Sequence, residues 1–151
     1  MGAEDGILVV ALGGNAITRE QDTGTIPEQF ENTLMSLAPV ADLIADGRRV
    51  VLTHGNGPQV GNYLIRVEHT SHEVPFLPLQ IIVADLQGGM GYMIGQVLKG
   101  LLHERKLHPH VSTVLTQVLI YPDDPSLTNP SKFVGPFYEE EEAKSHARER
   151  G

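Results

Sequence analysis

Two short apolar runs along the chain each give out into glycine. Ile7-Leu8-Val9-Val10-Ala11-Leu12 opens into Gly13-Gly14-Asn15-Ala16, and Val50-Val51-Leu52 leads through Thr53-His54 into Gly55-Asn56-Gly57-Pro58-Gln59-Val60-Gly61. Runs this short, β-branched and bounded by turn residues, predict buried strands. Pro58 suits a helix start, because its missing N–H would have no intrahelical partner there. The second strand thus delivers its turn to a helix N-terminus, where unpaired N–H groups and the positive end of the helix dipole suit phosphate or carboxylate. Gly55 and Gly57 admit positive φ and let a ligand approach the backbone. Ligands of open α/β sheets bind outside the carboxyl ends of parallel strands, so the two exits could face one crevice. Alternatively, each glycine pair makes only a tight turn between strand and helix.

The remaining pattern is that of an α/β chain. Arg19 to Ile26 has neither helical nor strand period and reads as an exposed loop bordering the crevice. From Pro27 an amphipathic helix carries Phe30, Leu34, Leu37, Ala41 and Ile44 on one stripe, with Glu28 in its first turn, Gly47 beyond its end and a kink expected from Pro39. Val60, Leu64 and Val67 mark a second helix, which dies in the polar run Glu68 to Glu73, and Val74 to Pro78 reads as an extended connector. A short helix over Leu79 to Leu86 is expected to break at Gly88-Gly89 before another runs from Met90 to Glu104. Gly88, Gly91 and Gly95 form a small-residue stripe that allows close approach, within the core or across a subunit contact. Val111 to Ile120 gives the strongest strand signal of the second half. An aperiodic excursion rich in proline, Asp and Asn follows, spanning about 119–138. Glu139 to Arg150 closes with a helix whose acidic start and basic end complement its dipole.

Composition narrows the function classes. A chain of 151 residues, 40% hydrophobic and 20% charged, fits one globular domain. Eleven basic against 19 acidic residues leave a net charge of −8, which disfavours nucleic acid as a partner. No cysteine is present, excluding disulfides, thiolate metal ligands and cysteine nucleophiles. No unbroken apolar run reaches the ~18 residues of a membrane span, and the N-terminus has no signal-like core, so no membrane association and a cytoplasmic location are expected. Among the seven histidines, His69 with His72 and His108 with His110 lack carboxylates at metal-binding spacing, and no metal site is expected. His54 is expected to hold its loop by a hydrogen bond rather than to carry a proton.

Five stretches occur in the order found in carbamate kinases: Ala11-Leu12-Gly13-Gly14-Asn15-Ala16; Thr53 to Gly61; Gln87-Gly88-Gly89-Met90-Gly91-Tyr92-Met93; Leu115-Thr116-Gln117-Val118; and Asn129 to Tyr138. The chain resembles that family from about Ile7 onward. The resemblance implies the α/β/α sandwich of the amino-acid kinase superfamily, with a mainly parallel central sheet. It also implies phosphoryl transfer between ATP and carbamate, giving ADP and carbamoyl phosphate or running in reverse, within arginine metabolism. By that match Gly13 and Gly14 line the path of the phosphoryl group, with Asn15 beside them. Gly55, Asn56 and Gly57, followed by Pro58 and Gln59, hold the carbamate end. Lys132 neutralises developing charge, because Ala11-Leu12 stand where related amino-acid kinases carry a lysine on the first strand. Mg-ATP or Mg-ADP serves the complete enzyme, and a homodimer is implied.

The resemblance covers only the first half of a carbamate kinase. Residues 1–151 are therefore expected to form the substrate-binding domain without the nucleotide-binding one, to bind no nucleotide tightly and to be nearly inactive alone. No Walker-type Gly-Lys-Ser/Thr occurs. A non-catalytic anion-binding or dimerising module is the alternative. A dinucleotide-binding oxidoreductase fits less well, since the glycine spacing of Gly55 to Gly61 is one residue too long and Pro58 removes an N–H that pyrophosphate would need.

Overall fold

The computed structural model describes residues 6–19, 21–131 and 138–150. Strand β1 (Ile7–Leu12) and strand β2 (Arg49–His54) pair in parallel, Ile7 opposite Arg49 and Leu12 opposite His54. Parallel neighbours need a crossover connection. Helix α1 (Ile26–Ala45) supplies it. Helix α2 (Gly57–Thr70) follows β2, helix α3 (Leu79–Glu104) packs along α1, and helix α4 (Glu140–Arg150) ends the chain.

The start of α1 is fixed by a reciprocal cap. Thr25 Oγ1 accepts from Glu28 N–H, and the Glu28 carboxylate accepts in return from Thr25 N–H at 2.8 Å. At the far end Gly47, at φ 85°, lets its N–H reach Ile44 O while Arg48 N–H reaches Leu43 O. Leu37 and Ala41 are fully buried as the stripe requires, joined by Val40, whereas Leu34 is exposed. The helix continues through Pro39 as one element.

Alternate residues of the strands, Val10 and Leu12 on β1 with Val50 and Leu52 on β2, pack into one core with Leu37 and Val40 of α1 and Ile94, Leu98 and Leu102 of α3. The opposite face, bearing Ile7, Val9 and Val51, is uncovered among the described residues. Helix α3 is long and apolar enough to cross a membrane by length and composition. Eight of its residues are buried inside the protein.

Two expectations are corrected. Gly88-Gly89 does not divide α3, which runs unbroken over 26 residues. Neither glycine has positive φ, so the pair adopts helical backbone and lowers only the propensity. Val111 to Ile120 forms no strand, because no strand among the described residues lies beside it to pair. Instead it docks on α3. Thr113 Oγ1 donates to Gly91 O at 3.2 Å, and Gln87 brackets Thr116, accepting its N–H at 2.9 Å and donating to its carbonyl at 3.3 Å. A Cβ built on Gly91 would collide with Thr113 Cγ2, and one on Gly95 would lie 3.7 Å from Thr113 Oγ1. The glycine stripe is therefore used within the chain at Gly91 and Gly95, while Gly88 faces open space. In the excursion Asp124 caps a single turn of 3-10 helix, Pro125–Leu127, by accepting from Ser126 N–H.

Candidate active site

Leu12 and His54 are partners at the last rung of the ladder, so β1 and β2 release the chain side by side at one end. Neither strand's hydrogen bonding extends past that rung, and the following residues are free to turn toward each other. Gly13 is extended, and Gly14–Ala16 make one 3-10 turn, with Ala16 N–H on Gly13 O and Thr18 N–H on Gly14 O at 2.8 Å. Polar residues of α1 anchor that turn: Ser36 Oγ donates to Ala16 O at 2.9 Å, and the buried Asn32 amide donates to Ile17 O at 3.1 Å.

The second loop enters α2 through Asn56, whose side chain does not cap the helix. Backbone N–H groups of Gly57 and Gln59 therefore have no intrahelical partner, and Pro58 has none to offer. No acidic residue lies in that first turn to repel an anion. His54 Nδ1 lies 3.1 Å from Gly55 O, so a protonated Nδ1 donates to the carbonyl and stiffens the turn. The loops meet closely: a Cβ on Gly14 would sit 3.9 Å from Pro58 Cδ.

Seven of the sequence-predicted residues thus share one end of the sheet, Gly13, Gly14 and Asn15 on the first loop and Gly55, Asn56, Gly57 and Pro58 on the second. Among the described residues neither the Asn15 nor the Asn56 side-chain amide has a hydrogen-bond partner. Gln59 is different. Its amide donates to Thr18 Oγ1 at 3.1 Å and to Gln29 Oε1 at 3.3 Å, making it a strut between the loops. Lys132 lies outside the described residues. Gly13, Gly14, Asn15, Gly55 and Gly57 are exposed, so the arrangement is an open shelf of donors. It can grip and orient an anion, and it carries no nucleophile of its own.

Among the described residues no three His, Asp or Glu converge as metal ligands. Gln29, Asn32 and Ser36, which hold the site from α1, escaped the sequence reading. Their signal is a polar stripe at three- and four-residue spacing beside the apolar one, with Gln29 and Asn32 buried.

A profile of the amino acid kinase family matches residues 6–142. The chain is 46% identical over 147 residues to the carbamate kinase of Thermococcus kodakarensis, a match covering 95% of this chain and 47% of that protein. To the carbamate kinase of Pyrococcus horikoshii it is 42% identical over 146 residues, with 95% and 46% covered. Among solved structures, the carbamate kinase of Giardia lamblia bound to AMP-PNP superposes with a TM-score of 0.85 at 36% identity, covering 96% of this chain and 46% of that one. A structure from Aeropyrum pernix K1 gives 0.89 at 40% identity, with the same shares. The chain spans about half the length of the relatives it matches. Its fold is the α/β sandwich with parallel strands that the sequence implies, seen here through two strands of the sheet.

Proposed function

The chain belongs to the amino acid kinase family, and from that premise we propose that its paired loops hold the small acid in a carbamate kinase-type transfer. The reaction exchanges ATP and carbamate for ADP and carbamoyl phosphate. Such transfer depends on positioning and on stabilising charge spread over phosphoryl oxygens, with little covalent work for the protein. Gly13, Gly14 and Asn15 line the path of the phosphoryl group, and Gly55, Asn56 and Gly57 hold the carbamate end. Pro58 fixes the first turn of α2, and Gln59 positions the two loops. Lys132 supplies the cation that neutralises developing charge. As the resemblance to carbamate kinases implies, magnesium would arrive bound to the nucleotide. This chain carries the acid-binding half of the reaction and binds nucleotide weakly or not at all.

One observation carries the reading: the Leu12–His54 rung, which brings both glycine loops to one edge. Calorimetry with phosphonoacetamide, a stable analogue of carbamoyl phosphate, tests it. The 151-residue chain is expected to bind the analogue but not ADP, and to make no ATP from carbamoyl phosphate and MgADP. Asn56→Ala is expected to weaken the analogue about fivefold or more, as loss of a hydrogen bond to a charged group does. Absent binding, or binding untouched by Asn56→Ala and Gly14→Val, would falsify the assignment. ATP formation by the chain alone would overturn the half-enzyme reading.

The uncovered sheet face favours a second reading, a module that works packed against further polypeptide or a second copy of itself. Either form suits a cytoplasmic protein with small-molecule substrates and no nucleic-acid partner.

A further inference from the structure

Away from the strand exits, a hollow of about 330 Å³ opens between α1, α2 and α3, at the lower end of the range for small-ligand pockets. Phe30 of α1 and Leu86, Met90 and Met93 of α3 give it an apolar lining. Gln59, Asn62 and Arg66 form the α2 side, and their three- and four-residue spacing places them on one helix face. Among the described residues Arg66 is the only charged one lining the hollow. Among the described residues neither its guanidinium nor the Asn62 amide has a hydrogen-bond or ion-pair partner. Gly89 borders the same space. A Cβ built on it meets nothing within 4 Å, so close packing does not demand glycine there, although glycine is unfavourable inside a helix. Its missing side chain leaves the α3 side of the hollow unfilled.

We propose that this hollow binds a small organic carboxylate with a compact apolar or aromatic body. The carboxylate lies on Arg66 and Asn62, where a planar guanidinium can take both oxygens. The body lies against Phe30, Met90 and Met93, whose thioethers adapt to an irregular or aromatic shape. Inorganic phosphate would leave the apolar lining wet, and a neutral molecule would leave the guanidinium unpaired. Gln59 connects this site to the shelf. It lines the hollow and donates to Thr18 Oγ1, while Thr18 N–H donates to Gly14 O. An occupant bearing on Gln59 is thus two hydrogen bonds from the first glycine loop, and occupancy is felt there.

Titration of the nitrogen-15-labelled chain with phenylacetate, with acetate and phenylacetamide as separate arms, tests the site by chemical shift. Saturable shifts are expected around Asn62, Arg66 and Met90, and smaller ones at Thr18 and Gly14. Phenylacetate should bind about tenfold more tightly than either control, since acetate lacks the body and the amide lacks the charge. Arg66→Met should cost about tenfold. Gly89→Leu, which fills the hollow from α3 without meeting a neighbour at Cβ, should abolish binding. No saturable shift near Asn62, equal binding of acetate, or indifference to both substitutions overturns the site. Shifts at Asn62 with none at Thr18 or Gly14 overturn the connection to the shelf.

Discussion

Glu28 gathers four donors at the start of α1: the hydroxyl and N–H of Thr25, each at 2.8 Å, and the hydroxyl and N–H of Thr23 at 2.9 and 3.4 Å. The Thr25 hydroxyl contributes most, and together the donors pull the carboxyl from 4.5 down to about 2. A folded-state value below the unfolded one stabilises the protein fully above about pH 4.5, and that contribution is lost as pH falls through 2. The cap matters beyond its own turn, because α1 carries the Asn32 and Ser36 side chains that anchor the first glycine loop. Glu28→Gln is expected to lower the thermal midpoint at pH 6 and to close the gap with the parent chain as pH drops from 4.5 toward 2, measured by circular dichroism. A gap that stays constant over that range would show that the ionised carboxylate is not the stabilising species.

Helix α3 and the segment that docks on it show what an element needs from outside its own sequence. Apolar runs and amphipathic stripes announce β1, β2, α1 and α2, because burial on one face dictates their spacing. Val111 to Ile120 has the residues of a strand, yet strand structure needs a hydrogen-bonding neighbour, and no local signal reports whether one lies alongside. The end of α3, by contrast, falls at Glu104 where the sequence places it, although no glycine marks it. Lys106 takes the left-handed conformation at φ 59°, with Leu107 N–H on Leu102 O, where glycine would have marked the stop. Both glycine loops of the site could be read from residue type, whereas the Gln59 strut could not, since its partner Thr18 is 41 positions away. The three glycines of the α3 stripe separate into two kinds, and substitution distinguishes them. Gly91→Ala is expected to destabilise by about 1–3 kcal/mol through overpacking against Thr113. Gly88→Ala, with open space at Cβ, should gain up to about 1 kcal/mol from helix propensity. Urea midpoints of the two variants check this, and opposite signs are the required outcome. If Gly91→Ala is neutral, the Thr113 contact does not fix the docked segment.

At the largest scale, the sheet is half dressed among the described residues. Parallel strands normally lie buried on both faces, which is why β1 and β2 read as continuous apolar runs rather than alternating ones. Here one face packs on α1 and α3 while Ile7 and Val9 of β1 stay 57% and 69% exposed and Val51 of β2 46%. Beyond them Val118 and Leu119 are each 81% exposed on the segment that has no strand partner among the described residues. Apolar surface of this extent drives association, opposed by the net charge of −8, which long-range repulsion keeps effective until salt screens it. Light scattering should therefore record an apparent mass that climbs with protein concentration and climbs further with added salt. Val9→Thr with Val51→Thr keeps β-branched residues in both strands, so the fold should hold while the sheet face turns polar. The double variant should stay at the mass of a single chain under the same conditions, with its urea midpoint within about 0.5 kcal/mol of the parent. Equal association of parent and variant would place the contact elsewhere, and a parent that never leaves single-chain mass would mean that this face is tolerated in water as it stands.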